Sequence, residues 1–226
     1  MNQNQEELMQ IAIDGPASSG KSTIAKLLAQ KLNLLYLDTG AMYRAITLFF
    51  IEHKVDLEQP DQVKQALEEC QLSYRGQGHE RTLLLNGKEI EKKIRSAEVN
   101  AQVSAVSAIP EVRHYLVAMQ QKIGQEMSVI MDGRDIGTVV LKDADYKFYL
   151  TANAHVRALR RYQENQEKGL SNQSLAEIEQ TIIDRDYYDS HRTMSPLKKA
   201  EDAIEIDTSQ YSIEEVLEII LNQVKR

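Results

Sequence analysis

Met9-Gln10-Ile11-Ala12-Ile13-Asp14-Gly15-Pro16-Ala17-Ser18-Ser19-Gly20-Lys21-Ser22-Thr23 reads as a short apolar strand that runs into a glycine-rich loop and opens a helix. Gly15 and Gly20 let the backbone curl around an anion with its N–H groups inward, and the new helix adds the positive end of its dipole. Lys21 has the reach to meet the β- and γ-phosphates of a nucleotide, and the Ser22 hydroxyl can hold Mg²⁺. Ile24, Leu27, Leu28 and Leu32 follow at helical spacing. That strand–loop–helix setting separates a phosphate-binding P-loop from a glycine turn before an ordinary helix. Gly15, Pro16, Ala17, Ser18, Ser19, Gly20, Lys21, Ser22 and Thr23 are therefore the candidate nucleotide-binding residues.

Around this loop lies a chain of 226 residues, 42% hydrophobic, enough for one full core and a small insert. Its net charge of -7 argues against a dedicated binder of polymeric nucleic acid, which usually carries a basic domain, and points to small-molecule partners. Cys70 is the only cysteine, so neither an internal disulfide nor a cysteine-built metal site can form, and a reducing cytoplasm fits. Residues 1–7 are polar and acidic, and no apolar stretch approaches membrane-spanning length. The expectation is a cytoplasmic protein, neither secreted nor anchored.

Short apolar runs recur between helical patterns at Met9–Asp14, Leu34–Leu37, Val129–Asp132, Lys147–Leu150 and Ala203–Ile206, as buried strands of an α/β fold do. The first two flank the helix after the P-loop, which predicts a right-handed βαβ unit and a central parallel sheet. Ser212 and Glu215 form a capping box for a last helix with Ile213, Val216, Leu217, Ile220 and Val224 on its apolar stripe. Between Cys70 and Ile90 the rhythm changes. Leu72-Ser73-Tyr74-Arg75, a Gly76-Gln77-Gly78 turn and Thr82–Ile90 with Asn86-Gly87 predict a small antiparallel meander, inserted from about residue 63 to 107. Such an insert serves either substrate binding or surface decoration.

Chemistry-bearing residues gather after the second and third strands. Asp38-Thr39-Gly40-Ala41-Met42-Tyr43-Arg44 places a carboxylate, a hydroxyl and an arginine at one helix entrance, beside the P-loop at the carboxyl edge of the sheet. Arg44 can hold a second phosphate, although Asp38 or Thr39 can equally cap the helix and Arg44 face solvent. Asp132-Gly133-Arg134-Asp135-Ile136-Gly137 repeats the pattern; Asp132 as a Walker B acid is a weak signal, since one acid after an apolar strand is common at helix starts. Arg157, Arg160 and Arg161 share a face of the helix at 155–168, and the next helix, begun by the Ser174/Glu177 box, ends near Arg185 and Arg192. Arginines on a mobile segment can neutralise a transferring phosphoryl group and exclude water, the work of a lid; a solvated charged face with Glu164 and Glu167 is the alternative.

Together these residues resemble the bacterial cytidylate kinases, a branch of the P-loop nucleoside monophosphate kinases, from end to end. The likeness rests on residues 15–23, Leu37–Arg44, Ile94-Arg95-Ser96, Ile109-Pro110-Glu111-Val112-Arg113, residues 132–140 and the stretch from Arg185-Asp186 to Arg192. It implies a P-loop three-layer α/β fold: a parallel-sheet core (1–62 and 108–226), an inserted nucleoside-monophosphate-binding subdomain (63–107) and a short helical lid (153–171). It implies ATP and Mg²⁺, CMP or dCMP as acceptor, and a monomer. In that likeness Arg44 and Arg134 resemble the acceptor-phosphate clamp. Thr39, Arg113, Asp135 and Arg192 resemble the cytosine pocket, and Ser104, Arg185 and Asp189 the sugar site. Cytosine offers an amine donor and acceptors at N3 and O2, which Asp135 and Arg113 match in type; uracil would set a carbonyl against the Asp135 carboxylate. Transfer would be direct and in line, with Lys21 on the donor, Arg157 or Arg161 closing over the transferring group, and Asp14 or Asp38 holding a magnesium water. A switch GTPase lacks support because no Asn-Lys-x-Asp signature occurs; UMP, AMP or shikimate stand as other acceptors.

Overall fold

Five apolar runs pair side by side, all parallel, in the order β2-β6-β1-β7-β8: β1 Gln10–Asp14, β2 Leu35–Asp38, β6 Val129–Gly133, β7 Tyr146–Thr151 and β8 Ile204–Asp207. The computed structural model describes residues 8–77, 80–169 and 172–224. The chain leaves central β1 for β2 on one side and later reaches β7 on the other, so the carboxyl end of β1 lies at the switch point where such sheets bind ligands.

Strand parity divides the core. Ile11, Ile13, Ile130, Phe148, Leu150 and Ile206 face α1 (Lys21–Leu32) and α8 (Ile213–Gln223), with Tyr36 packed at the edge of that layer. Ala12, Leu35, Leu37, Val129 and Met131 face the other way, onto α2 (Thr39–Glu52) and α5 (Pro110–Glu126). This second layer continues without a break into the insert through Val63, Leu67, Cys70, Leu72, Leu85 and Val103, so residues 63–107 share the main core.

The insert comprises α3 (Pro60–Glu69), the antiparallel sheet β3 (Leu72–Gln77), β4 (Glu80–Leu85) and β5 (Lys88–Glu89), and α4 (Ala97–Ala108). Gly76 and Gln77, expected as a turn, extend β3, and Gly78 lies outside the described residues. Asn86 and Gly87 make the β4–β5 turn with φ of 48° and 75°, both left-handed, as a two-residue hairpin requires. Nothing crowds Gly87. Gly87→Ala should therefore cost only backbone strain, about 1–2 kcal/mol, and lower the thermal midpoint by a few degrees. Unfolding scans at unchanged activity check this.

The segment expected as a lid folds as α6 (Ala154–Lys168), capped by Asn153, and packs on α7 (Leu175–His191). The two share a small separate core of Ala158, Ile178 and Ile182. Positions 170 and 171 of the expected lid lie outside the described residues. Both expected capping boxes, Ser174 with Glu177 and Ser212 with Glu215, are formed.

Candidate active site

At the carboxyl end of β1 the loop bends at Gly15, where φ is 147° and a Cβ would lie 2.0 Å from the Leu150 carbonyl oxygen. Only glycine fits there. Gly20 caps α1 in the left-handed conformation without a side-chain hydrogen bond, so the first amides and the positive dipole end of α1 face the loop. Lys21 is buried and folds its ammonium inward, donating to the Pro16 carbonyl at 2.5 Å and the Ser19 hydroxyl at 3.3 Å. Burial, then the nearby Arg134, pull its pKa well below the usual lysine range.

The carboxylate that meets the loop belongs to Asp132. Its Oδ2 accepts from the Ser22 hydroxyl at 2.7 Å and its Oδ1 from the Tyr36 hydroxyl at 2.8 Å. Burial, and secondarily Asp38, push its pKa up to about 6. Asp14 and Asp38, the two acids expected to hold magnesium waters, also make structural hydrogen bonds. Both oxygens of Asp14 accept backbone N–H groups, from Ile136 and Gly137 at 2.8 Å each, and burial pushes its pKa up to about 7 despite those bonds. Asp38 Oδ1 caps α2 by accepting from Ala41 N at 2.8 Å.

On the acceptor side the arginines and acids expected there come together. Asp135 forms a buried ion pair with Arg113, whose Nη1 also donates to the Ser107 carbonyl, and Arg192 approaches Asp135 at 3.7 Å. Asp189 accepts from Arg134 Nε at 3.0 Å, with Arg185 at 3.8 Å. Buried Nε of Arg113, Nε of Arg185 and Nη2 of Arg192 have no hydrogen-bond partner among the described residues. Thr39 spends its hydroxyl on the Asp132 carbonyl at 2.7 Å. Ser104 is half-buried on α4, its carbonyl accepting from Ser107.

Between the two halves stands a group of neighbouring cations. The Arg44 pKa is lowered by burial, which Asp38 opposes and Arg95, Arg161 and Arg134 reinforce. Arg185 is lowered by burial, then by Arg134 and Arg44. Like charges held together and partly withdrawn from water favour a bound anion. The two lid arginines differ. Arg157 commits every nitrogen: Nε to the Ala152 carbonyl at 2.8 Å, Nη1 to the Ala17 carbonyl at 3.1 Å and Nη2 to Asp186 at 2.6 Å. Arg161 is among the cations acting on Arg44 and Arg185, with Glu164 at 3.7 Å.

Comparison with known proteins gives the family. The family profile described as Cytidylate kinase covers residues 11–226. The chain belongs to the cytidylate kinase family. It is 49% identical over 216 residues to the cytidylate kinase of Clostridium botulinum (strain Langeland / NCTC 10281 / Type F), covering 96% of this chain and 97% of that protein. It is 45% identical over 218 residues to the cytidylate kinase of Limosilactobacillus fermentum, covering 96% of each. The crystal structure of a protein from Eubacterium ventriosum superposes with a TM-score of 0.51 at 12% identity, over 96% of this chain and 98% of that one, a likeness of fold alone. As a cytidylate kinase the chain is a nucleotide-binding nucleoside monophosphate kinase, and the family's reaction is phosphorylation of CMP and dCMP by ATP. The switch-GTPase reading is thereby set aside.

Three elements of the kinase's crevice escaped the sequence reading. Asp132 was discounted, yet parity names it: Ile130 faces α1, so Asp132 does too, whereas Asp14 follows Ala12 to the opposite face. Arg95, in the turn after β5, joins the cations around Arg44. Thr208, after β8, accepts two bonds from Arg160, at 3.0 Å on its hydroxyl and 2.6 Å on its carbonyl, while its own hydroxyl reaches the Ser19 carbonyl at 3.3 Å. Arg160 thus ties α6 to the donor loop and leaves the shared arginine face of the lid.

Proposed function

We propose that the chain transfers the γ-phosphoryl group of ATP to the phosphate of CMP or dCMP by direct in-line displacement, with no covalent enzyme intermediate. The observation that carries this reading is the grouping of Lys21, Arg44, Arg134, Arg161 and Arg185 close enough to act on one another's charges, with Lys21 in the P-loop and Arg44 on α2. An acceptor monoester is already mostly ionised near neutral pH, so the protein needs no strong base, only positioning and charge stabilisation.

The P-loop amides and Lys21 hold the donor phosphates. Arg44 and Arg134 clamp the acceptor phosphate, and Arg161 closes over the group in flight while Arg157 braces α6 against the loop. Residues 63–107 carry the acceptor and 153–171 act as the lid. Thr39, Arg113, Asp135 and Arg192 read the base; Ser104, Arg185 and Asp189 hold the sugar.

Ser22 and Asp132 suit Mg²⁺: a hydroxyl and a buried carboxylate, both hard oxygen donors, side by side at the phosphate loop. Mg²⁺ keeps several of its waters and is commonly held by one or two protein oxygens together with substrate phosphates. Bound there, the ion supplies charge neutralisation on the donor phosphates. The reading includes a monomeric enzyme of the cytoplasm, where ATP and CMP meet.

An acceptor panel tests it. CMP and dCMP should outperform UMP, AMP and shikimate in coupled ADP-release assays; no turnover with CMP or dCMP would falsify the reading. Asp135→Asn should lower the CMP:UMP ratio of kcat/KM by roughly 10–100-fold, because an amide can face either an amine or a carbonyl. The KM for ATP should stay within about twofold. An unchanged ratio would show that Asp135 does not read the base.

A further inference from the structure

Asp132 is gripped from both sides, by Ser22 on Oδ2 and Tyr36 on Oδ1. The second grip is built by the sheet. Tyr36 pairs with Ile130 on β6 and Asp38 pairs with Asp132, so Tyr36 stands one same-face step, about 7 Å, behind the carboxylate. A serine or threonine there falls short; a tyrosine spans the gap. Its ring packs on the α1 side of the core, and the Lys26 ammonium lies 5.6 Å from the ring centroid.

A carboxylate end group turns easily about its last torsion, and one bond to Ser22 leaves that rotation free. We propose that Tyr36 is a positioning residue which holds Asp132 Oδ1 and so keeps Oδ2 turned toward Ser22 and the phosphate loop, setting the affinity for the magnesium–nucleotide complex. The inference rests on the proposed role of Asp132 beside the magnesium site. Tyr36 bonds Asp132 and lies beside Ser22, so its influence passes through that pair. Partners that orient a metal-side ligand in this manner typically contribute 10–100-fold to metal affinity.

The test is equilibrium binding of ADP to the full chain, measured in EDTA and in saturating Mg²⁺, with CMP binding as a control. Tyr36→Phe removes one oxygen and keeps the ring. It should weaken binding of Mg²⁺–ADP by about 10-fold or more and raise the Mg²⁺ concentration for half-maximal rate. Metal-free ADP and CMP should bind within about twofold of the parent. Asp132→Asn should weaken Mg²⁺–ADP similarly, and Tyr36→Phe should add little in that background, since both act on the Asp132–Ser22 pair. Equal weakening of metal-free ADP by Tyr36→Phe overturns the inference in favour of a structural hydroxyl, as does an effect of Asp132→Asn without one of Tyr36→Phe. If Asp132→Asn leaves the Mg²⁺ dependence intact, the role given to Asp132 fails first, and the inference falls with it.

Discussion

Lys21→Met is expected to cut kcat by on the order of 10³ while raising the melting temperature of the ligand-free protein. The two effects share a cause. Lys21 is buried, and Arg134 sits close enough to push its pKa further down. Without phosphates, the folded chain bears the cost of holding that charge; in the proposed role, the same ammonium meets the donor phosphates as charge shifts during transfer. Methionine fills the space of the lysine stem without the charge. Relief of about 1 kcal/mol corresponds to a rise of about 2–4 °C in a chain of this size. Stabilisation by added Mg²⁺–ADP should shrink in the variant. Parallel thermal scans with and without nucleotide read both effects, and a fall in the ligand-free midpoint would contradict the picture of a crevice strained by like charges.

Arg134→Ala should lower kcat/KM for CMP by about 10²–10³-fold and leave the KM for ATP within a few-fold. Arg134 uses Nε for Asp189 at 3.0 Å and an Nη group for the Gly133 carbonyl at 3.3 Å, which sets its fork beside Arg185 and Lys21. That fork can hold Asp189 and a phosphate together. A single ammonium cannot, so Arg134→Lys should recover little of the loss. Steady-state kinetics with each substrate varied in turn decide the matter. Equal losses toward ATP and CMP would place Arg134 between the substrates and not on the acceptor.

Much of this architecture is legible along the chain. The P-loop is written in contiguous residues, and the close Cβ approach at Gly15 and the left-handed Gly20 supply the reason for both glycines. Asn86-Gly87 and the two capping boxes are equally local, because a turn or cap depends on residues three or four apart. The lid arginines show the limit. Spacing alone put Arg157, Arg160 and Arg161 on one helical face with Glu164 as a partner, which Arg161 keeps, but Arg157 and Arg160 find partners on the P-loop, in α7 and after β8. Nothing at 155–168 reveals those partners.

The sequence by itself determined the α/β class, the phosphate-loop motif and the inserted hairpin. Only the tertiary structure decided which acid meets Ser22. Ser22 and Asp132 are 110 positions apart, and Tyr36 and Asp132 are 96. Their meeting depends on β6 lying between β1 and β2 and on the parity with which each strand enters the sheet. A local motif is shaped by its covalent neighbours. A carboxylate brought across a sheet is placed by strand order and register, which are properties of the whole fold.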